Sequence, residues 1–169
     1  ILEDQDRDGV VDHSKVFLDK LVLPRGLAHV YGGLLYIDGP KLIFVEIKND
    51  KPGKKTVVDP IYAEGGNVEH SSNGLMMNID NWIYNADYNF RYQLKNGKWL
   101  KEPTTLRGQW GISKDDFGRL YFNNNSTMLQ CDFVLPNKVI KNKYFRPRAS
   151  ESQRIIDNKV FPAHATSVN

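Results

Sequence analysis

The amino-acid sequence predicts an all-β protein. Short runs rich in β-branched and aromatic residues alternate with tight-turn signals such as Asn96-Gly97, and helical periodicity over 11 or more residues is absent. The 169 residues are 40% hydrophobic and 11% aromatic, which is enough for one domain with a sizeable core. We therefore predict a single β-domain over residues 1–169.

A repeated segment indicates which kind of β-domain this is. GLAHVYGGLLY begins at Gly26, GLMMNIDNWIY at Gly74 and GISKDDFGRLY at Gly111. In each segment an apolar strand leads through a turn into a second strand that ends on tyrosine. The glycines are 48 and 37 residues apart, and the mean of about 42 is the length of a propeller blade. The sequence thus predicts a segment of a β-propeller.

The remaining strands complete four-stranded blades. KLIFVEIK is expected to pair with KKTVVDPIY, RYQLK with KWLKEP, and MLQCDFVL with KVIKNKYF. The predicted blades span 24–62, 67–105 and 106–145, residues 1–23 (including VFLDKL) end a preceding blade, and 146–169 lead to a next one. About three and a half blades make an incomplete ring, because propellers usually close with four to eight. Since open edges invite pairing, both chain ends are expected to be cuts in a longer protein.

Composition and motifs exclude several function classes. The net charge of +3 arises from interspersed charges without a dense basic face, so nucleic-acid binding is not expected. Cys131 is the only cysteine, which excludes an internal disulfide, a thiolate metal cluster and c-type haem attachment. The sequence contains no stretch of about 18 apolar residues, the length that a membrane-spanning helix needs. Nucleophile-elbow, phosphate-loop and dinucleotide motifs are also absent.

An acidic loop near the start resembles a calcium-binding loop. Asp4, Asp6, Asp8 and Asp12 occupy motif positions 1, 3, 5 and 9, and Gly9 occupies position 6. Alternate carboxylates at this spacing could converge on one Ca²⁺ ion. However, position 12 is a lysine where a bidentate glutamate is usual, and no helices flank the loop. The loop is therefore either a structural calcium site or an acidic hairpin turn between strands.

Two polar residues occupy equivalent positions in the repeat. His70 precedes Gly74 by four residues, and Arg107 precedes Gly111 by four, so both are expected at one mouth of the central channel. A neutral imidazole could act as a base, oriented by the nearby Asp87 carboxylate. Arginine could hold a carboxylate or quinone oxygen. The alternatives are a structural loop histidine and a surface salt bridge.

Further polar and stacking groups follow near the same end of the predicted sheets. A ligand there could hydrogen-bond to the amides of Gln109 and the run Asn123-Asn124-Asn125, and it could stack on the planar ring of Trp110. Trp110 could instead be an aromatic wedge between blades.

Three segments carry a resemblance to a known family: LPRGLA, NVEHSSNGLMMNIDNWIYNADY and RGQWGISKDDFGRLYFNNNS. They resemble the membrane-bound dehydrogenase propellers of bacteria, which look related to quinoprotein glucose/sorbosone dehydrogenases. The family pattern H-x4-L-x4-D-x2-I-Y matches from His70 to Tyr84, and R-x3-G-L is similar to the segment from Arg107 to Ile112. The resemblance implies that His70 takes a hydroxyl proton while hydride leaves for pyrroloquinoline quinone (PQQ), which Arg107 contacts.

The resemblance also implies further site residues and partners. The family's acidic partner position is Asn89 here, with Asp87 two residues away, and a cofactor-contacting glutamine corresponds to a position near Asn125. Gln109 is a further candidate cofactor contact. A small hydroxylated substrate such as a sugar, a cytochrome c electron acceptor and an extracytoplasmic location are expected. The alternative is a non-catalytic propeller that binds a protein or glycan on the same face.

Overall fold

The computed structural model describes residues 1–139, 141–145 and 150–157, and it confirms the all-β class. A short hairpin of β1 (Leu2–Glu3) and β2 (His13–Ser14) precedes three four-stranded antiparallel sheets. In each of these sheets the spatial strand order follows the chain order, and none of the sheets formed by the described residues closes on itself. This is the architecture of an incomplete propeller segment.

Each sheet is a meander of consecutive strands. Sheet one contains β3 (Leu27–Val30), β4 (Gly33–Asp38), β5 (Lys41–Lys48) and β6 (Lys51–Asp59). Sheet two contains β7 (Asn73–Met77), β8 (Ile83–Ala86), β9 (Phe90–Lys95) and β10 (Lys98–Pro103). Sheet three contains β11 (Ser113–Lys114), β12 (Leu120–Asn124), β13 (Thr127–Cys131) and β14 (Gln153–Arg154).

The hairpin turns follow from local sequence. Asn96 and Gly97 join β9 to β10 with φ values of 50° and 74°, and a two-residue turn with both central φ angles positive matches the twist of the flanking strands. Tyr31 and Gly32 adopt φ values of 52° and 71° between β3 and β4. Local turn chemistry therefore sets the register of these pairs.

The sheets stack face to face through alternating side chains. Leu35 and Ile37 of β4 pack with Ile83 and Tyr92 of sheet two in one apolar cluster. The intervening Tyr36 points to the other face of sheet one, as the two-residue period of a strand requires. A second cluster of Tyr84, Leu120 and Phe122 joins sheets two and three. The core thus lies between successive sheets.

The repeated glycines meet where neighbouring sheets converge. A Cβ placed on Gly74, whose φ is 63°, would lie 2.8 Å from the Cα of Gly111. A Cβ on Gly26 would lie 3.8 Å from the backbone nitrogen of Gly74. Gly74 is therefore required both by the close approach of the Gly111 backbone and by its positive φ, whereas Gly111 is favoured by its φ of 77° alone.

Two predicted strands are not formed. VFLDKL was expected to be an outer strand, but Phe17, Leu18 and Leu21 instead pack as a cover on the Tyr36 face of sheet one. The prediction that KVIKNKYF pairs with β13 is also wrong: its described residues form turns, and β14 takes that place. Sheet three consequently extends to Arg154, beyond the predicted boundary at 145.

The loop after β13 turns away from sheet three for a physical reason. Pro136 has no backbone N–H to donate to a ladder, and Asn137 adopts a φ of 60°. The Asn137 side-chain amide donates to the carbonyl of Pro103, at 2.8 Å, and Lys141 pairs with Glu102 at 2.9 Å. These contacts hold the loop against sheet two.

Within the described residues, no helix has the length and apolar character needed to cross a membrane.

Candidate functional site

Polar side chains converge at the end of sheets two and three where β7 and β11 begin. A single-turn 3₁₀ helix, Val68–His70, precedes β7. Asn67 caps it, because its side-chain oxygen accepts from the backbone N–H of Glu69 at 3.1 Å. Gln109 and Trp110 lie just before β11, and Asn125 follows β12. Three separate chain segments thus contribute to one surface.

His70 is exposed, and two residues of the next repeat contact its ring. Gln109 Nε2 lies 3.4 Å from His70 Nδ1. The Trp110 ring lies 5.5 Å from the imidazole centroid, and Trp110 Nε1 donates to the carbonyl of Glu69 at 3.2 Å. These contacts fix His70 at the surface formed by His70, Gln109 and Trp110, which we call the His70 surface.

The hydrogen-bond network assigns the tautomer of His70. The backbone N–H of Asn125 donates to Gln109 Oε1 at 2.7 Å, so the oxygen of that amide faces Asn125 and its NH₂ group faces His70. Because an NH₂ group only donates, His70 Nδ1 accepts, and the neutral ring carries its proton on Nε2. The nitrogen that remains free is therefore a hydrogen-bond donor.

Asp87 does not orient His70 as predicted: among the described residues the side chain at His70 Nδ1 is Gln109, and the Asp87 carboxylate makes no hydrogen bond to the ring. Asp87 instead lines an adjacent open pocket of about 650 Å³, which we call the Asp87 pocket. Gln109, Asn124 and Asn125 line this pocket too, above the apolar side chains of Leu106 and Phe122. Gln109 is thus shared between the pocket and the His70 surface.

Arg107 does not share a channel mouth with His70, which corrects the expectation from the repeat. Its side chain is 1% exposed, and its Nε donates to Asp132 at 2.7 Å. Nη1 donates to Thr104 Oγ1 and the Thr105 carbonyl, both at 2.8 Å. Burial raises the pKa of the Asp132 carboxyl, against the lowering effect of the guanidinium. Arg107 is therefore a buried structural ion pair and presents no cation to a cofactor.

Asp80, which carries part of the family pattern, lies at the opposite end of sheet two. It belongs to the turn between β7 and β8, where its carboxylate accepts from Tyr84 Oη at 2.9 Å and pairs with Arg91 at 3.2 Å. Arg91 also binds Glu102 at 2.7 Å and lies 4.1 Å from the Trp82 ring centroid. The aspartate and tyrosine of the family pattern therefore stabilise one end of sheet two, whereas its histidine lies at the other end.

The acidic loop connects β1 to β2 and brings three of its four predicted ligands together. One carboxylate oxygen from each of Asp4, Asp6 and Asp8 lies within 4.8 Å of the others. Asp12 turns away and accepts from the backbone N–H of Gln5 at 3.1 Å. The loop is a hairpin connection, and the carboxylates of Asp4, Asp6 and Asp8 could hold a hard cation.

The structure also identifies residues that sequence analysis missed. Asp59 is almost fully buried at the end of β6 and accepts from Lys101 Nζ at 2.6 Å and Tyr92 Oη at 2.5 Å. The only signal in the sequence was an acidic residue at the end of a strand. Asp132, the partner of Arg107, likewise follows directly after β13.

Comparison with known proteins places the chain in one family. No curated protein and no solved structure matches it. A family model matches residues 1–169 from end to end. The chain therefore belongs to the DUF7133 family, which is described as a domain of unknown function.

Proposed function

We propose that this chain is part of a propeller that binds a hydroxylated ligand, such as a sugar or glycan, at the His70 surface and the Asp87 pocket. One observation carries the proposal: the side chain of Gln109 links an exposed imidazole to a pocket with amide-bearing walls. The pocket volume of about 650 Å³ falls within the range of small-molecule sites.

The chemistry of the surface suits hydroxyl groups. His70 Nε2–H donates, and the Asn125 side chain offers one acceptor and two donors. Asn124 Oδ1 already accepts from the backbone N–H groups of Ser126 and Thr127, and its Nδ2 donates to Gln130, which leaves one N–H for a ligand. Trp110 is 42% exposed and provides a flat apolar face beside these groups. A sugar ring has the same two features, hydroxyls on its rim and an apolar C–H face.

The test is titration of the chain with mono- and disaccharides, followed by tryptophan fluorescence. We expect saturable quenching that His70→Ala weakens, since the variant loses the ring that contacts Trp110. The matched control is His29→Ala, an exposed histidine on sheet one. Absence of saturable binding by any sugar, or equal loss in both variants, would contradict the proposal.

We propose a quinoprotein-type sugar or alcohol dehydrogenase as the second candidate function. The exposure of His70, together with the histidine pattern that runs to Tyr84, favours it. In such a protein the quinone supplies the hydride acceptor, a cytochrome c takes up the electrons, and the site faces an extracytoplasmic compartment. His70 and its Gln109 contact are the contribution of this chain.

The described residues do not fit PQQ by themselves. PQQ is a polyanion and needs cationic partners, yet Arg107 is buried against Asp132. The side chains that contact His70 are neutral, and Asp87 is the one charged residue among those lining the adjacent pocket. Under this proposal the cationic contacts come from residues other than Arg107.

PQQ titration with a reducible dye as electron acceptor distinguishes the two candidates. A dehydrogenase shows PQQ-dependent dye reduction with a sugar or alcohol, and His70→Ala abolishes that reduction. If sugars bind while PQQ neither binds nor supports reduction, the non-catalytic binding function stands and the second candidate falls.

We also propose that the acidic loop holds a structural Ca²⁺ ion between Asp4, Asp6 and Asp8. Adding Ca²⁺ is expected to raise the melting temperature, because an ion that binds only the folded state stabilises it. Asp6→Asn should reduce the increase, and Asp12→Asn should leave it largely intact, since Asp12 faces Gln5. An unchanged melting temperature in the wild-type chain would rule out the site.

A further inference from the structure

Asp87 is an exception among the carboxylates of this chain. Within the described residues, each other buried or half-buried aspartate or glutamate has a cationic side chain or a backbone N–H as its partner. Asp87 is a half-buried residue, and its carboxylate has neither partner in the part of the chain that the structure describes. A charge that is partly withdrawn from water without compensation costs free energy, so the protein gains when a ligand supplies the partner.

The surrounding structure holds Asp87 in place. Its φ of 54° lies in the left-handed region, which aspartate tolerates better than most residues. Its backbone N–H donates to the carbonyl of Arg107 at 3.0 Å, and its own carbonyl accepts from Ser72 Oγ at 3.3 Å. Arg107 and Ser72 are both buried, so the buried framework fixes the backbone that carries this carboxylate.

The other described residues that line the Asp87 pocket add no positive charge. Its other polar side chains include Gln109, Asn124 and Gln130, all neutral amides. Leu106 and Phe122 supply apolar surface. Each of these amides keeps one N–H beyond its contacts within the protein, so the described lining combines one negative charge, further hydrogen-bond donors and an apolar wall.

We infer that the ligand of this site carries a protonated amine, and that the Asp87 pocket selects amino sugars over neutral sugars. The inference rests on the proposed binding function and adds its substrate class. The ammonium group pairs with the Asp87 carboxylate, the hydroxyls bond to the amides, and the C–H face of the ring packs on Leu106 and Phe122. Acetylating the amine removes the charge and with it this contact.

The experiment compares three ligands that differ at one position: a glucosamine disaccharide, its N-acetylated form and the corresponding glucose disaccharide. Binding is followed by NMR on the ¹⁵N-labelled chain, through the side-chain amide signals of Gln109 and Asn124. We expect the glucosamine disaccharide to bind about tenfold to a hundredfold more tightly than either neutral ligand, as a charge-assisted hydrogen bond predicts.

The deciding variant is Asp87→Asn, which removes the charge and keeps a residue that accepts a positive φ. It should bind all three ligands with equal, weak affinity. Asp116→Asn, at an exposed turn residue, is the matched control and should retain the preference.

The outcomes separate this inference from the proposed function. Equal affinity of the wild-type chain for charged and neutral sugars, or an unchanged preference in Asp87→Asn, overturns the inference and leaves sugar binding standing. If none of the three ligands shifts the amide signals, the proposed function itself fails and this inference fails with it.

Discussion

At the scale of single residues, burial separates two positions that the repeat makes equivalent. His70 and Arg107 each lie four residues before a repeated glycine, yet the imidazole is exposed and the guanidinium is 1% exposed. Arg107 finds Asp132 after β13 and is enclosed between sheets two and three. Among the described residues no such carboxylate binds His70, whose ring contacts a neutral amide. Repeat position therefore sets the location of the backbone, and the available partner sets the role of the side chain.

Arg107→Ala is expected to lower the free energy of unfolding by about 3–5 kcal/mol, because it leaves the buried Asp132 without its partner. Urea denaturation measures the change. Arg119→Ala is the control: it breaks the more exposed pair with Asp115, at 2.6 Å, and should have a small effect. Similar losses in the two variants would contradict the structural role assigned to Arg107.

Among secondary-structure elements, the close approach of successive sheets explains the glycine that begins the second repeat. Gly74 combines a positive φ with a Cβ position 2.8 Å from the backbone of Gly111. Gly97 also has a positive φ, but nothing lies within 4 Å of its Cβ position. The first glycine is needed for packing between sheets, and the second only for its turn.

Alanine substitutions can separate these two requirements. Gly97→Ala should cost about 1 kcal/mol, from the left-handed backbone alone. Gly74→Ala should cost about 2–4 kcal/mol, because overpacking against Gly111 adds to that strain. Urea denaturation measures the loss of unfolding free energy in both variants. Equal costs for the two variants would mean that the β7 and β11 backbones do not pack as closely as described.

At the scale of the whole molecule, buried charges tie the sheets together in addition to the apolar clusters. Asp59 of sheet one binds Lys101 and Tyr92 of sheet two. Burial by itself would raise the pKa of the Asp59 carboxyl, but the hydrogen bonds from Lys101 and Tyr92 outweigh it and lower the pKa. The contact between the sheets is therefore sensitive to acid.

The sign of this pH effect follows from linkage. The folded pKa of Asp59 lies below its unfolded value, which is near 3.8, so its contribution is present at neutral pH. The contribution is lost as the pH falls from about 4 through the folded pKa. Asp59→Asn should be less stable than the wild-type chain at pH 7, and the difference should shrink on acidification. Urea midpoints between pH 7 and pH 3 measure it, and a constant difference would contradict the assignment.

The extent of sequence-based prediction differs between fold and site. The strands flanking Asn96-Gly97 and the three repeated segments were predicted because turn chemistry and two-residue alternation are local properties. VFLDKL and KVIKNKYF have strand-like composition, but one covers the Tyr36 face and the other belongs to the loop that Asn137 anchors to Pro103. Composition alone does not report such long-range contacts.

The all-β class, the repeated hairpins at the centre of the three sheets and the end of the sheets at which His70, Gln109 and Asn125 gather could be predicted from the sequence. Three features became visible only in the folded chain: Arg107 turns inward to Asp132, Gln109 rather than Asp87 contacts His70, and Asp87 has no cationic partner among the described residues that line its pocket. The difference lies in the sequence separation of the interacting residues. Turns and strands are encoded within a few residues, whereas the partner of a polar side chain depends on which distant residue the packed sheets bring within hydrogen-bond distance.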